Sequence, residues 1–367
     1  MDFSHSEDQE SLRGLAREIL TDQLSQDRLR AVARSEDRID RELWTELAKA
    51  NLLGLAVPEE HGGSGLGLPE LALLQEEIGR SVAPVPVYAT LVLGALAIDA
   101  FGADDLRAAW LPRVASGDAM LSAAITQAAG DGVTARHDGT GWRLEGRCSL
   151  VPAAHVAQRV LVPAATEDGE LSVFLVDPRS EGAELERVET TDEQLRPNLH
   201  LKSVRVPDAE LLGEAGSGSA IVEWIRQRAT LSLCALQLGV AERALEMTAT
   251  YTTERKQFNR PIGSFQAVHQ RAADAYVQVQ AMKVTLWRAI HLLAQGEDAS
   301  EILPIAKYWA SVGGASVTYA AQHLHGGIGV DLDYPLHRYY LWARQIGLHL
   351  GTGTAQLARL GEQIAAG

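Results

Sequence analysis

The segment ERKQFNRPIG, residues 254–263, sets Arg255, Lys256 and Phe258 at the end of a helical run and directly before a proline-containing break. Further along, HLHGGIG (323–329) carries His323, Gly326 and Gly327. Each stretch alone has an ordinary explanation: cations at a helix C-terminus are favoured by the helix dipole, and a glycine pair can simply end a helix. Together they offer a different chemistry. A guanidinium fork supplies bidentate charge, and a glycine turn exposes backbone N–H groups to close approach. A pyrophosphate needs both.

Other chemistries find little support. Eleven histidines occur without an HExxH or CxxC pattern, so no metal site is expected. The two cysteines, Cys148 and Cys234, are far apart and fit reduced, buried thiols better than a disulfide framework. A formal net charge of -15 opposes binding to nucleic acid, and any anionic ligand must be held by a local cluster of Arg and N–H groups. No apolar run approaches a membrane span, and the acidic opening MDFSHSEDQE is unlike a signal peptide, which together predict a cytoplasmic protein with no membrane partner.

The elements that must position these residues follow from periodicity. At 367 residues the chain is long enough for two or three domains. Residues 1–116 read as a helical domain, with runs such as LPELALLQEEIGRSVAPVP separated by the glycine-rich break VPEEHGGSGLG. Between 117 and 217 the pattern shortens to Val-rich, partly alternating stretches (GWRLEGRCSLVP, RVLVPAA, LSVFLVD, LKSVRVP), which predict a middle β domain. Helix returns over 218–367. There Leu231, Cys234, Leu238, Ala241, Leu245 and Thr248 form one buried stripe. A second runs from Phe265 through Val268, Ala272, Ala275, Val279 and Met282 to Leu293, stopped by Gly296. With helices around 305–324 and 336–348, this predicts a four-helix bundle and an α+β chain overall.

The order of domains and three motifs together resemble the acyl-CoA dehydrogenase family. GLAVPEEHGGSGLG (54–67) is similar to its amino-terminal signature, ERKQFNRPIGSFQAVHQRAAD (254–274) to its second signature, and HGGIGVDLDYPLHRYY (325–340) to its glycine turn. The resemblance implies an FAD-dependent enzyme that removes hydrogen across the α and β carbons of an acyl-CoA thioester. It also implies a tetramer in which an arm of each chain grips a neighbour's FAD. On this chain Arg255, Phe258, Gln266, Gly326 and Gly327 would form that arm, with Thr354 and Gln356 of a GTxQ segment and Thr126 of the β domain also touching flavin. His323 stands where the family commonly has a polar Gln before the glycine turn. An electron-transfer flavoprotein is the implied acceptor.

The chain departs from the family where the reaction needs a base. The usual Glu position is Thr352, in LGTGTAQL. The alternative position falls near Ala229, with Gln237 the nearest isostere, and an amide accepts no proton. The β-domain flavin segments have also drifted, to TQAAGDG (126–132) and CSLVPAA (148–154). An intact arm beside an eroded bed and a missing base resembles one subunit of the heterotetrameric, sterol side-chain type of acyl-CoA dehydrogenase, whose partner supplies the Glu. Three other readings stay open: a homotetramer using Glu223 or Asp333 as base, a flavin-dependent monooxygenase of the same fold, and a non-catalytic scaffold.

Overall fold

In the computed structural model the described residues are 5–126 and 131–366. The helices are α1 (Glu7–Gln23), α2 (Gln26–Arg34), α3 (Arg41–Lys49), α4 (Leu68–Ser81), α5 (Leu96–Phe101), α6 (Asp104–Ala115), α7 (Gly218–Glu254), α8 (Gln266–Ala294), α9 (Ile302–His325), α10 (Leu336–Leu348) and α11 (Gly353–Ala366). The strands are β1 (Leu121–Ala123), β2 (Gly132–His137), β3 (Trp142–Cys148), β4 (Arg159–Ala165), β5 (Leu171–Val176), β6 (Ala183–Glu186), β7 (Asn198–Val206), β8 (Leu211–Leu212), β9 (Lys256–Gln257) and β10 (Arg260–Pro261). Two compact units result: Met1–Ala31 with Leu68–Ala83 and Thr230–Gly367, and Val32–Gly67 with Pro84–Ala229.

The first unit is helical. α1 starts in a reciprocal capping box, Ser6 Oγ accepting from the Gln9 backbone and Gln9 Oε1 from the Ser6 backbone. α4 and α7 cross closely because two glycines face the contact. A Cβ on Gly79 would lie 2.0 Å from the Leu236 carbonyl, and one on Gly239 would lie 1.9 Å from that of Glu76. The expected α7 stripe is inside: Leu231, Cys234, Leu238, Ala241 and Thr248 are buried, and Leu245 packs against the same core. On α8 only the part from Ala275 onward is buried. Phe265, Val268 and Ala272 remain half-exposed, because the start of α8 leaves the core to follow the β9–β10 hairpin.

α9 and α10 are fastened by a buried amine. Lys307 donates to Ser311 Oγ at 2.9 Å and to the carbonyl of Ile346 at 3.0 Å, satisfying an α10 terminus that would otherwise be orphaned. Burial pushes its pKa down to about 8. A fifth helix of this region, α11, follows α10. Its glycine-rich start in LGTGT hides it from periodicity.

The second unit is built on one sheet in the order β6-β7-β3-β2-β4-β5-β8, with β1 paired to β4. The β1–β4 and β2–β4 pairings are parallel and the others antiparallel. One sheet face closes over Val133, Leu144, Val160, Val162, Phe174 and Val204, all buried. Around it stand α3, capped by Asp40 on the Leu43 backbone at 2.9 Å, a π-helical stretch over Tyr88–Ala95, and α5 and α6. Among the described residues no helix is long and apolar enough to cross a membrane, and no cluster of three potential metal ligands occurs.

Candidate cofactor arm and its surroundings

β9 and β10 pair antiparallel, Gln257 opposite Arg260, so Phe258 and Asn259 alone make the turn. Both have positive φ, 51° and 61°, as a two-residue hairpin of the twist-matched type requires. For a phenylalanine that conformation costs on the order of 1 kcal/mol or more. Phe258 is also 88% exposed. A strained, solvent-facing aromatic is poorly explained by folding alone. The edge of Phe265, 6.2 Å away, meets the ring, while the Arg260 guanidinium stacks on Phe265 at 4.2 Å and stiffens the hairpin.

Arg255 leaves the end of α7 exposed, and its side chain makes no hydrogen bond or ion pair among the described residues. Its backbone is well fixed: the N–H donates to Tyr251, and its carbonyl accepts from Ile262 at 2.8 Å. Gln266, at the first turn of α8, is exposed. The hairpin thus holds a free guanidinium, an aromatic face and an amide on a rigid frame.

The glycine turn is tied to the base of this arm by residues that motif reading passed over. Tyr251, one turn before Arg255, stacks on His325 with centroids 4.4 Å apart. His325 is buried. Its Nδ1 lies 2.8 Å from the Ala321 carbonyl, which can only accept, so Nδ1 carries the proton and Nε2 accepts from the Tyr334 hydroxyl at 3.1 Å. Desolvation lowers its pKa, which keeps the ring neutral and this tautomer in place. In the sequence it is the second His of HLHGG, two residues after the exposed His323. That residue makes no side-chain bond among the described residues. Gln322, beside it, donates to the Gly329 carbonyl at 3.3 Å and shapes the turn.

Gly326 has φ 67°, and a Cβ at Gly326 or Gly327 would meet nothing within 4 Å. The glycines are not forced by this chain's own packing. Open space in front of them suits a ligand that approaches backbone. Thr354 and Thr352 are exposed at the start of α11, whereas Gln356 turns inward and donates to the Leu350 carbonyl at 3.0 Å. Thr126, in the other unit, keeps a buried Oγ1 with no partner among the described residues. Residues 127–130 of the TQAAGDG segment lie outside the described residues.

The segment 148–154 is, by contrast, closed on itself. Ser149 bonds Asp131 through N at 3.1 Å and Oγ at 2.6 Å. The Leu150 N–H donates to Asn198 Oδ1 and that of Val151 to the Pro197 carbonyl. The Pro152 carbonyl accepts from Ser122, and Pro152 itself has no N–H to offer. The N–H groups of Ser149, Leu150 and Val151 are thus spent internally.

No carboxylate stands at the positions where a base is expected. Thr352 is exposed; Ala229 and Gln237 are wholly buried. The Gln237 amide packs closely against Gly314, where a Cβ would come within 1.7 Å of its nitrogen. Glu223 is held by Arg226, whose Nε donates to it at 2.8 Å. Asp333 is 86% exposed and pairs with Arg30 at 2.6 Å.

Comparison with known proteins now adds to this geometry. The amino-terminal domain of acyl-CoA dehydrogenases matches residues 6–118 and the carboxy-terminal domain matches 216–365. This chain belongs to the acyl-CoA dehydrogenase family. As an acyl-CoA dehydrogenase homologue it is an oxidoreductase of that family, and it is 38% identical to acyl-CoA dehydrogenase FadE27 of Mycobacterium tuberculosis over 374 residues, covering 100% of this chain and 99% of the relative. Among solved structures it is similar to a chain of the ChsE4-ChsE5 complex from Mycobacterium tuberculosis, with TM-score 0.96, 38% identity and all of both chains covered. It is likewise similar to a chain of the Tcur3481-Tcur3483 steroid acyl-CoA dehydrogenase, with TM-score 0.91, 46% identity and 98% of each chain covered.

Proposed function

We propose that this acyl-CoA dehydrogenase is the base-lacking subunit of a heteromer that dehydrogenates a bulky, steroid-type acyl-CoA thioester at its α and β carbons, with FAD shared between unlike chains. The carrying observation is the contrast between an exposed, unpartnered arm and an internally closed bed with no carboxylate at Thr352, Ala229 or Gln237. The two solved relatives described above, a two-component complex and a steroid enzyme, support the same reading.

FAD, when bound, supplies the acceptor for the hydride leaving the β carbon. The residues of this chain fit its far end. Arg255 can grip a diphosphate bidentately, the Gly326 and Gly327 backbone can approach it closely, and Phe258 can cover an adenosine face, with Gln266 and His323 at the margin. Thr354 offers a hydroxyl from the α11 start, and Gln356 positions that start by holding Leu350. Thr126 retains an unspent hydroxyl for a flavin edge. Removal of the α proton needs a carboxylate, and the partner chain supplies it. Electrons then pass to an electron-transfer flavoprotein.

The test is activity. This chain alone should not oxidise a steroid side-chain acyl-CoA, whereas co-expression with an acyl-CoA dehydrogenase homologue that carries the Glu should give turnover. Turnover by the chain alone, abolished in Glu223→Gln or Asp333→Asn, would instead identify an unconventional base.

A further inference from the structure

We propose that the cavity walled by α1, α2, α4, α7 and α10 binds a small organic anion, a carboxylate or phosphate head carrying a short apolar tail. The inference does not rest on the shared-flavin reading and uses none of the arm residues.

Arg17, Arg80 and Arg243 line this cavity of about 310 Å³, and among the described residues no acidic one does. That is unusual for a chain of net charge -15. The cavities of the other unit carry carboxylates in their walls, Glu36 and Asp37 in one, Glu145 and Glu167 in another. Leu20, Leu24, Leu29 and Met247 form the apolar part of the wall, and Ser81, Thr21 and the Tyr339 hydroxyl add polar atoms. The volume is at the lower end of small-molecule sites.

The arginines have donors to spare. Arg17 spends Nε and Nη2 on Glu77, at 2.9 and 2.6 Å, leaving Nη1. Arg80 and Arg243 share the single carboxylate of Glu246, the latter at 3.3 Å, and Arg243 also donates to the Tyr339 hydroxyl; with five N–H groups on each guanidinium, both keep donors unclaimed. Glu77 and Glu246 lie outside the cavity wall. Arg13 completes the network by leaning on Glu77 at 2.9 Å and on Glu76 and Glu242. Four guanidiniums therefore face four carboxylates. Burial pushes Glu76 up to about 8, against the pull of Arg13, so it is neutral at pH 7. The free donors around the cavity mark where an anionic head group would bind.

The test is a calorimetric titration of the full chain, alone and in its co-expressed complex, with hexanoate, phenyl phosphate and the uncharged hexanol. Saturable binding of one molecule per chain is expected for at least one anion and not for hexanol; which anion binds more tightly names the head group. Arg243→Gln should weaken binding by about tenfold, the loss of one charge-assisted contact. Thr21 is exposed, so Thr21→Glu should leave the fold intact and abolish binding by placing a carboxylate at the wall, while Thr21→Ala retains it. Thermal melting of each variant reports its folding. Absence of saturable binding to about 10 mM, a response weaker than any functional affinity, would overturn the proposal. So would binding indifferent to both charged substitutions, or binding by the chain alone that vanishes in the complex.

Discussion

The β9–β10 arm and the segment 148–154, the two places where the family resemblance predicts flavin contacts, are in opposite states. In the arm, an arginine with no side-chain partner among the described residues, an 88% exposed phenylalanine and an open glycine turn stand on a scaffold of Tyr251, His325 and Tyr334. In the other segment Ser149, Leu150 and Val151 direct their N–H groups to Asp131, Asn198 and Pro197. Exposed aromatic surface stays against water until something covers it, whereas the internally bonded N–H groups are already satisfied. The difference teaches that resemblance to a motif does not by itself say whether a segment is open to a ligand, whereas the internal bonding of Ser149, Leu150 and Val151 does.

The largest expected effect falls on the arm. Arg255→Ala should weaken flavin retention in the heteromer by about 2–3 kcal/mol, roughly 30- to 150-fold, by removing a charged, forked contact. Phe258→Ser should cost less, about 1 kcal/mol, through lost aromatic cover. Equilibrium dialysis of flavin against each variant measures the change. Neither side chain contributes to this chain's own core, so the melting temperature of the isolated chain should stay where it is. Unchanged flavin retention in Arg255→Ala would break the comparison outright.

A smaller effect separates stability from binding within the unit that bears the arm. Glu76 is buried, and desolvation raises its carboxyl from the ordinary range to about 8. Between pH 4.5 and 8 the native chain therefore keeps a proton that the unfolded chain releases, and stability falls as pH rises through that window. Glu76→Gln removes the proton exchange. Its melting temperature relative to the parent should rise by a few degrees from pH 5 to pH 8, with flavin retention unchanged. A parallel loss of flavin would mean that arm and interior are coupled.

Much of this was legible beforehand, for physical reasons. A 3.6-residue stripe such as Leu231, Cys234, Leu238 and Ala241 records burial directly, and all four are buried. The ERKQF and HGGIG motifs drew attention to residues that proved exposed and lightly used by this chain's own fold. What stayed hidden depends on partners remote in sequence. Asp131, Asn198 and Ser122 close the 148–154 segment from three different places, and no local pattern announces them. The positive φ of Phe258 contradicts its residue type, so the tight hairpin was unreadable. Strands as short as β8 carry too few residues to show alternation. Arg17, Arg80 and Arg243 meet only because α1, α4 and α7 pack together.

The most direct measurement is flavin per chain, by visible absorbance, for this protein purified alone and again with its acyl-CoA dehydrogenase partner. The account predicts little flavin on the chain alone and about one flavin per pair of unlike chains in the complex, as expected when two subunits share each site. A full complement of flavin on the chain alone would contradict it, because the closed 148–154 segment would then have to open and hold a cofactor of its own.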